Sequence, residues 1–226
     1  MANTRAQEIA EHLRKNILSG TYLPGSRLHE ETLAEETGVS RTPIRAALRL
    51  MDAERLVNYF PNRGYVVRKY SPDQIRAAYQ TRAVLEGLAC RQAVERGIPD
   101  ALKKSLKKCI TEIDVMLEKG SLHKDDVLQW RHWNAQFHGQ IIEASGNESL
   151  AAAIDLVTRI PMVSNSIVVW STFEVVANFH EHHRQIHDLL CRGLAGRAEF
   201  AMREHIEQGA DFIVSKLIEA EAGAEI

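Results

Sequence analysis

Two sets of side chains in this 226-residue chain are spaced to do chemistry. The first is a stripe of arginines. Arg41, Arg45 and Arg49 recur every four residues, so a helix puts them on one face, while Ile44 and Leu48 form an apolar stripe on another. Guanidinium groups presented this way contact phosphates, or grip guanine O6 and N7 in bidentate fashion. A solvated helix face has the same pattern. The second set is a group of histidines. Asn134 and His138 are four apart and share a helix face; so do His180, His183 and His187, with His182 pointing elsewhere and His205 on the last helix. Imidazoles converging from three helices can hold a divalent ion with open coordination positions. Histidines on helices are also common as hydrogen-bonded core groups or surface residues. Arg82 and Glu86, one turn apart, leave a similar choice: a guanidinium aimed at a ligand carboxylate, or a simple Arg–Glu pair.

The arginine stripe has a recognisable setting. Gly38 suits a tight inter-helix turn, Ser40 an N-cap, and Pro43 the first helical turn, where a missing N–H costs nothing. Glu30 to Glu36, with Leu33 and Ala34, reads as a short preceding helix. Leu56 to Phe60, then Pro61-Asn62-Arg63-Gly64, then Tyr65 to Arg68 reads as strand, turn, strand. A helix-turn-helix followed by a hairpin is a winged helix, with Arg63 at the wing tip. A first helix over residues 4–19 carries Ile9, Leu13 and Ile17 on one stripe and stops at Gly20.

Residues 1–70 carry 11 Lys and Arg against 8 Asp and Glu; residues 71–226 carry 17 against 22. A mildly basic part joined to an acidic one fits a DNA-binding module attached to a domain with another task. No apolar run is long enough to span a membrane, and the first residues do not read as a signal peptide. Cys90, Cys109 and Cys191 are widely spaced and odd in number, as expected in a reducing cytoplasm. After Ser71-Pro72 the pattern predicts helices over 73–96, from Pro99 to Gly120, over 124–145, from Glu148 with a kink at Pro161, over 172–192 and over 195–220, with a frayed tail from Ala220. The ambiguous run Ile167 to Trp170 reads as helix from context. The expected fold is therefore mainly α: an N-terminal winged helix-turn-helix over residues 1–70 and a C-terminal all-α bundle of about six helices over 71–226.

These motifs resemble a known family. Leu23-Pro24-Gly25-Ser26-Arg27-Leu28, Leu33-Ala34-Glu35, Gly38 to Arg45 and Pro61 to Gly64 are similar to the GntR family of bacterial transcription regulators across residues 4–70. Ala46 and Arg55 depart from it, standing where Glu and Gly are usual. Arg82-Ala83-Val84-Leu85-Glu86, Phe137-His138, Ala144 to Asn147, His183 to Ile186 and Met202 to His205 resemble the FCD ligand-binding domain of the FadR-type branch across about 71–218. Six helices in place of seven would set it nearer the VanR-like subgroup.

The resemblance implies DNA contacts from Arg41, Thr42, Arg45, Arg49, Arg63 and Gly64. It implies a divalent metal, zinc or nickel, held by Asn134, His138, His183 and His205, with Asn134 replacing the usual Asp and so supplying no negative charge. Neutral imidazole is the ligating form, so binding would weaken as pH falls through about 6.5. Arg82 is the candidate effector-binding residue, with Trp130, Trp133 and Phe137 as candidate pocket linings or plain core. The function expected is a cytoplasmic homodimeric regulator. It would bind a palindromic double-stranded operator and be released as a repressor by a small carboxylate. The rival is a metal-dependent enzyme that uses the winged helix for assembly. The chain lacks a His-Glu-x-x-His motif and an evident acid–base pair, so no enzymatic activity is expected.

Overall fold

The computed structural model describes residues 4–18, 20–160, 163 and 172–224. Its contacts divide the chain into two compact units, Met1–Ser71 with Arg159–Ser164 and Pro72–Thr158 with Asn165–Ile226.

In the first unit, α1 (Arg5–Leu18), α2 (Glu30–Thr37) and α3 (Arg41–Ala53) pack beside a three-stranded antiparallel sheet. Its strands are β1 (Arg27–Leu28), β2 (Val57–Phe60) and β3 (Gly64–Val67), in the order β1-β3-β2. The predicted stripe of α1, Ile9, Leu13 and Ile17, is buried with Leu33, Ile44, Leu48, Met51, Leu56 and Val67. Gly38 ends α2 in the left-handed conformation (φ 67°) and turns the chain into α3, as its lack of a Cβ permits. Ser40 takes the extended N-cap backbone, but its hydroxyl makes no capping bond. β1 was not expected, because two residues are too short to show alternation. It adds to the edge of β3 through Arg27 opposite Val66 and Leu28 opposite Tyr65. Arg55 also adopts positive φ (60°), a conformation that costs a residue with a Cβ roughly 1–2 kcal/mol.

The second unit contains, among the described residues, α4 (Pro72–Arg96), α5 (Asp100–Leu117), α6 (Lys124–Ala144), α7 (Glu148–Thr158), α8 (Phe173–Cys191) and α9 (Ala195–Ala224). The fourth of the predicted bundle helices is seen as α7, which ends at Thr158. Pro161 itself and the run 167–170 lie outside the described residues. α9 continues to Ala224, past the predicted fraying point, on a sequence rich in Ala and Glu. α4 and α9 are the two longest helices and lie against each other. Their seam closes at Gly87, where a Cβ would stand 2.7 Å from Arg203 Cγ and 3.0 Å from the Glu199 carbonyl oxygen. Any larger residue would push α9 away from α4.

Candidate functional site

On α3 the sequence periodicity resolves cleanly. Ile44, Ala47, Leu48 and Met51 are buried, and Arg41, Thr42, Arg45 and Arg49 are exposed. The guanidinium groups are not idle. Arg45 Nε donates to Glu30 Oε2 at 2.6 Å, and Arg41 donates to Glu31 Oε1 at 2.9 Å and Glu30 Oε2 at 3.3 Å. Acidic residues from the start of α2 therefore rest on the exposed arginine face of α3. Arg63 is exposed on the turn between β2 and β3, where Asn62 (φ 64°) and Gly64 (φ 74°) supply the positive φ values. Arg27 and Lys69 join Arg63 around a depression of about 420 Å3 whose lining contains no carboxylate. Neither had been singled out in the sequence, because Arg27 reaches this place through the unforeseen strand β1.

In the second unit, His138 of α6, His183 of α8 and His205 of α9 are buried and bring ligand nitrogens within 4.8 Å of one another. His138 Nε2 and His205 Nε2 are 3.2 Å apart. A tetrahedral ion with bonds of about 2.0–2.1 Å needs ligand nitrogens about 3.3 Å apart. Among the described residues, neither ring nitrogen of His183 has a hydrogen-bond partner, nor does His205 Nδ1. Buried polar atoms left unpaired cost roughly 1–3 kcal/mol each, so these orphans fit a centre built to receive a cation.

The histidines predicted to share the His183 face behave differently from it. His180 Nε2 is 2.6 Å from Asp114 Oδ1, and His187 Nε2 is 3.2 Å from the Lys103 carbonyl oxygen. Both are engaged with α5, which leaves His183 to the cluster. Phe137 packs against the His183 ring at 4.7 Å, whereas Trp130 lies in core with Ile113, Met116 and Val176. Asn134 is buried one turn before His138 on α6.

Burial, reinforced by neighbouring imidazoles, lowers the pKa of His183 well below the ordinary value; burial and His138, then His182 and Arg82, do the same for His205. Both rings therefore stay neutral, as ligands must be, to lower pH than the ordinary imidazole value near 6.5 implies. The expected acid loss of a metal is shifted downward accordingly.

Arg82 is buried with its Nε bonded to Glu86 Oε1 at 2.6 Å. Glu86 Oε2 in turn lies 2.5 Å from His138 Nδ1. Burial pushes the Glu86 carboxyl up, but Arg82 and His138 together hold it well below the usual carboxylate range. The i,i+4 relation of Arg82 and Glu86 is visible in the sequence. The contact of Glu86 with a histidine 52 residues away is not.

A winged helix-turn-helix carried on the same chain as a histidine-centred helical bundle defines a class, the transcription regulators that read DNA with one unit and carry a second, helical one. Residues 5–67 match the gntR family of bacterial regulatory proteins and residues 77–208 match the FCD domain. The chain belongs to the GntR family, with an FCD domain. It is 31% identical over 220 residues to an uncharacterized HTH-type transcriptional regulator of Streptomyces ambofaciens, covering 93% of this chain and 85% of that one. It is 24% identical to the gluconate operon transcriptional repressor of Bacillus subtilis, covering 92% and 83%. A second Bacillus subtilis protein, the uncharacterized HTH-type regulator YdhC, is 29% identical over 61% of this chain and 59% of its own length. The solved structure of E. coli McbR/YncC shares the fold, with a TM-score of 0.77 at 20% identity over 96% of this chain and all of that one. These relatives are transcription regulators, and the enzyme reading is set aside. No helix among the described residues is long and apolar enough to cross a membrane.

Proposed function

We propose that the protein is a cytoplasmic, homodimeric repressor that leaves a palindromic operator when a small carboxylate enters a metal-containing pocket in the FCD domain. The observation that carries this reading is the convergence of three buried histidines whose unpaired nitrogens suit a cation. His138, His183 and His205 would hold a divalent ion, zinc or nickel, with Asn134 as a weak fourth ligand. The ion would act as a Lewis acid toward a ligand oxygen. Every protein ligand in this set is neutral, so the centre keeps its positive charge and favours an anionic effector. Arg82, held by Glu86 at 2.6 Å, is the candidate for steering the carboxylate. The gluconate operon transcriptional repressor among the relatives supports the sign of regulation, and the operon it is named for suggests gluconate as a first probe. On the DNA side, Arg41, Thr42, Arg45 and Arg49 would enter the major groove, with Arg63 and Gly64 on the wing. Two readers in a dimer would meet half-sites about 34 Å apart.

The test uses Asn134→Asp. A carboxylate beside the ion should tighten metal binding and weaken a carboxylate effector, two opposite signs in one variant. Calorimetry with zinc, and then with gluconate on the zinc-loaded protein, reads both. Wild-type protein that takes up no divalent metal, or an Asn134→Asp variant with unchanged zinc affinity, would leave three ordinary core histidines.

A further inference from the structure

Among the described residues, the cluster of ligand-type side chains at the candidate metal centre contains three histidines and no carboxylate. Negative charge is nevertheless supplied one imidazole away. Glu86 on α4 is buried (1% exposed), and its two oxygens are divided between two partners: Oε1 accepts from Arg82 Nε at 2.6 Å and Oε2 faces His138 Nδ1 at 2.5 Å. We infer that Glu86 is a positioning residue of the metal centre: its carboxylate, ordered by Arg82, holds His138 with Nδ1 protonated and the Nε2 lone pair turned to the ion. This rests on the metal-site reading above.

The argument is one of donors and acceptors. An ionised carboxylate can only accept, so the proton in the Glu86–His138 contact sits on Nδ1. In a neutral ring Nε2 is then a bare acceptor, and it is Nε2 that points to His205 Nε2, 3.2 Å away. His205 Nδ1 and both His183 nitrogens have no comparable partner among the described residues, so His138 is the ligand whose tautomer is fixed by the protein. Arg82 makes the arrangement durable. It lies one turn before Glu86 on the same helix and is itself 3% exposed, so no water competes for the carboxylate. A hydrogen bond from a ligating imidazole to a carboxylate also raises the basicity of the ring. Asn134 offers only an amide, so the charge that steadies a bound cation comes through His138.

Cobalt(II) is the probe, added to the chelator-stripped full-length protein and followed by its d–d absorption and by competition with a chelator. Wild type should bind one cobalt. Glu86→Gln keeps an acceptor oxygen and the shape but loses the charge; it should bind cobalt about 10- to 100-fold more weakly, with altered d–d bands. Glu86→Asp, which keeps the charge, should recover part of the loss. Glu86→Gln also removes the carboxylate that pairs with Arg82, so the double variant Arg82→Leu/Glu86→Leu is made beside it. Exchanging both members of a buried pair for apolar residues commonly leaves a fold intact. A cooperatively melting double variant should show the same weakened binding. Equal cobalt affinity and identical spectra in wild type and the folded double variant would overturn the role of Glu86 while leaving the metal centre standing. A wild-type protein that binds no cobalt would remove the centre and this inference with it.

Discussion

The protein contains the same ion pair twice, in opposite surroundings. Arg45 Nε meets Glu30 at 2.6 Å on the exposed face of α3, the proposed DNA-reading face, and Arg82 Nε meets Glu86 at 2.6 Å inside the bundle. The first pair is 54% and 23% exposed, the second 4% and 1%. Geometry is equal, so solvent decides what each pair is for. The exposed pair is screened by water and worth about 0–1 kcal/mol, so phosphate oxygens can displace Glu30 from Arg45 at little cost. The buried pair has no water to replace a lost partner, so it is committed, and the commitment extends through Glu86 to His138. One pair is made to be exchanged, the other to stay.

The largest effect should follow from breaking the buried pair on one side only. Glu86→Ala or Arg82→Ala removes one charge of a buried ion pair and should cost about 3–5 kcal/mol, read from the denaturant midpoint. Arg82→Leu/Glu86→Leu should lie much nearer wild type. Single and double variants of equal stability would show that the two pairs do not differ as argued.

The next largest effect belongs to the reading face. Arg45→Ala should cost about 1–3 kcal/mol of sequence-specific binding per reader, with little change in melting temperature. Titration of the selected operator at fixed salt reads this, and unchanged affinity would remove Arg45 from the interface.

A third comparison uses pH on metal-free protein. His183 and His205 have folded pKa values below their unfolded ones, so the unfolded chain binds protons first as pH falls. Their contribution is complete above about 6.5 and is lost below it, with a slope of up to about 1.4 kcal/mol per pH unit for each ring. His183→Leu should flatten that slope. Identical acid profiles for wild type and variant would place the sensitivity elsewhere.

The smallest effect is the exposed counterpart. Glu30→Gln should alter stability by less than about 1 kcal/mol yet tighten binding to random-sequence duplex DNA, because Arg41 and Arg45 lose a competing carboxylate. Weaker binding would mean that Glu30 orients the arginines in place of masking them.

These two regions were unequally legible in the sequence. The four-residue spacing of Arg41, Arg45 and Arg49 against Ile44 and Leu48 is a local signal, and α3 buries and exposes those residues as the period requires. Helix ends marked by Gly38 and Gly20 were equally readable. β1 was not, since its pairing with β3 depends on residues far along the chain, such as Val66 opposite Arg27. The histidines on α6, α8 and α9 could be placed on helix faces, and the resemblance selected three that do converge. Spacing alone could not separate His183 from His180 and His187, because the difference lies in what α5 offers them. Glu86 was legible as a partner for Arg82, but not as one for His138.

The histidine cluster gathers α4, α6, α8 and α9, elements spread from Glu86 to His205 along the chain. No fragment that lacks one of them can present the same set of atoms. The loop closures that join them are long in sequence and must be completed before any of the contacts forms. A signal from this cluster, whether cobalt colour or an imidazole resonance, is therefore a reading of whether the whole bundle has assembled. It could serve as a built-in gauge of native topology that secondary structure content cannot provide.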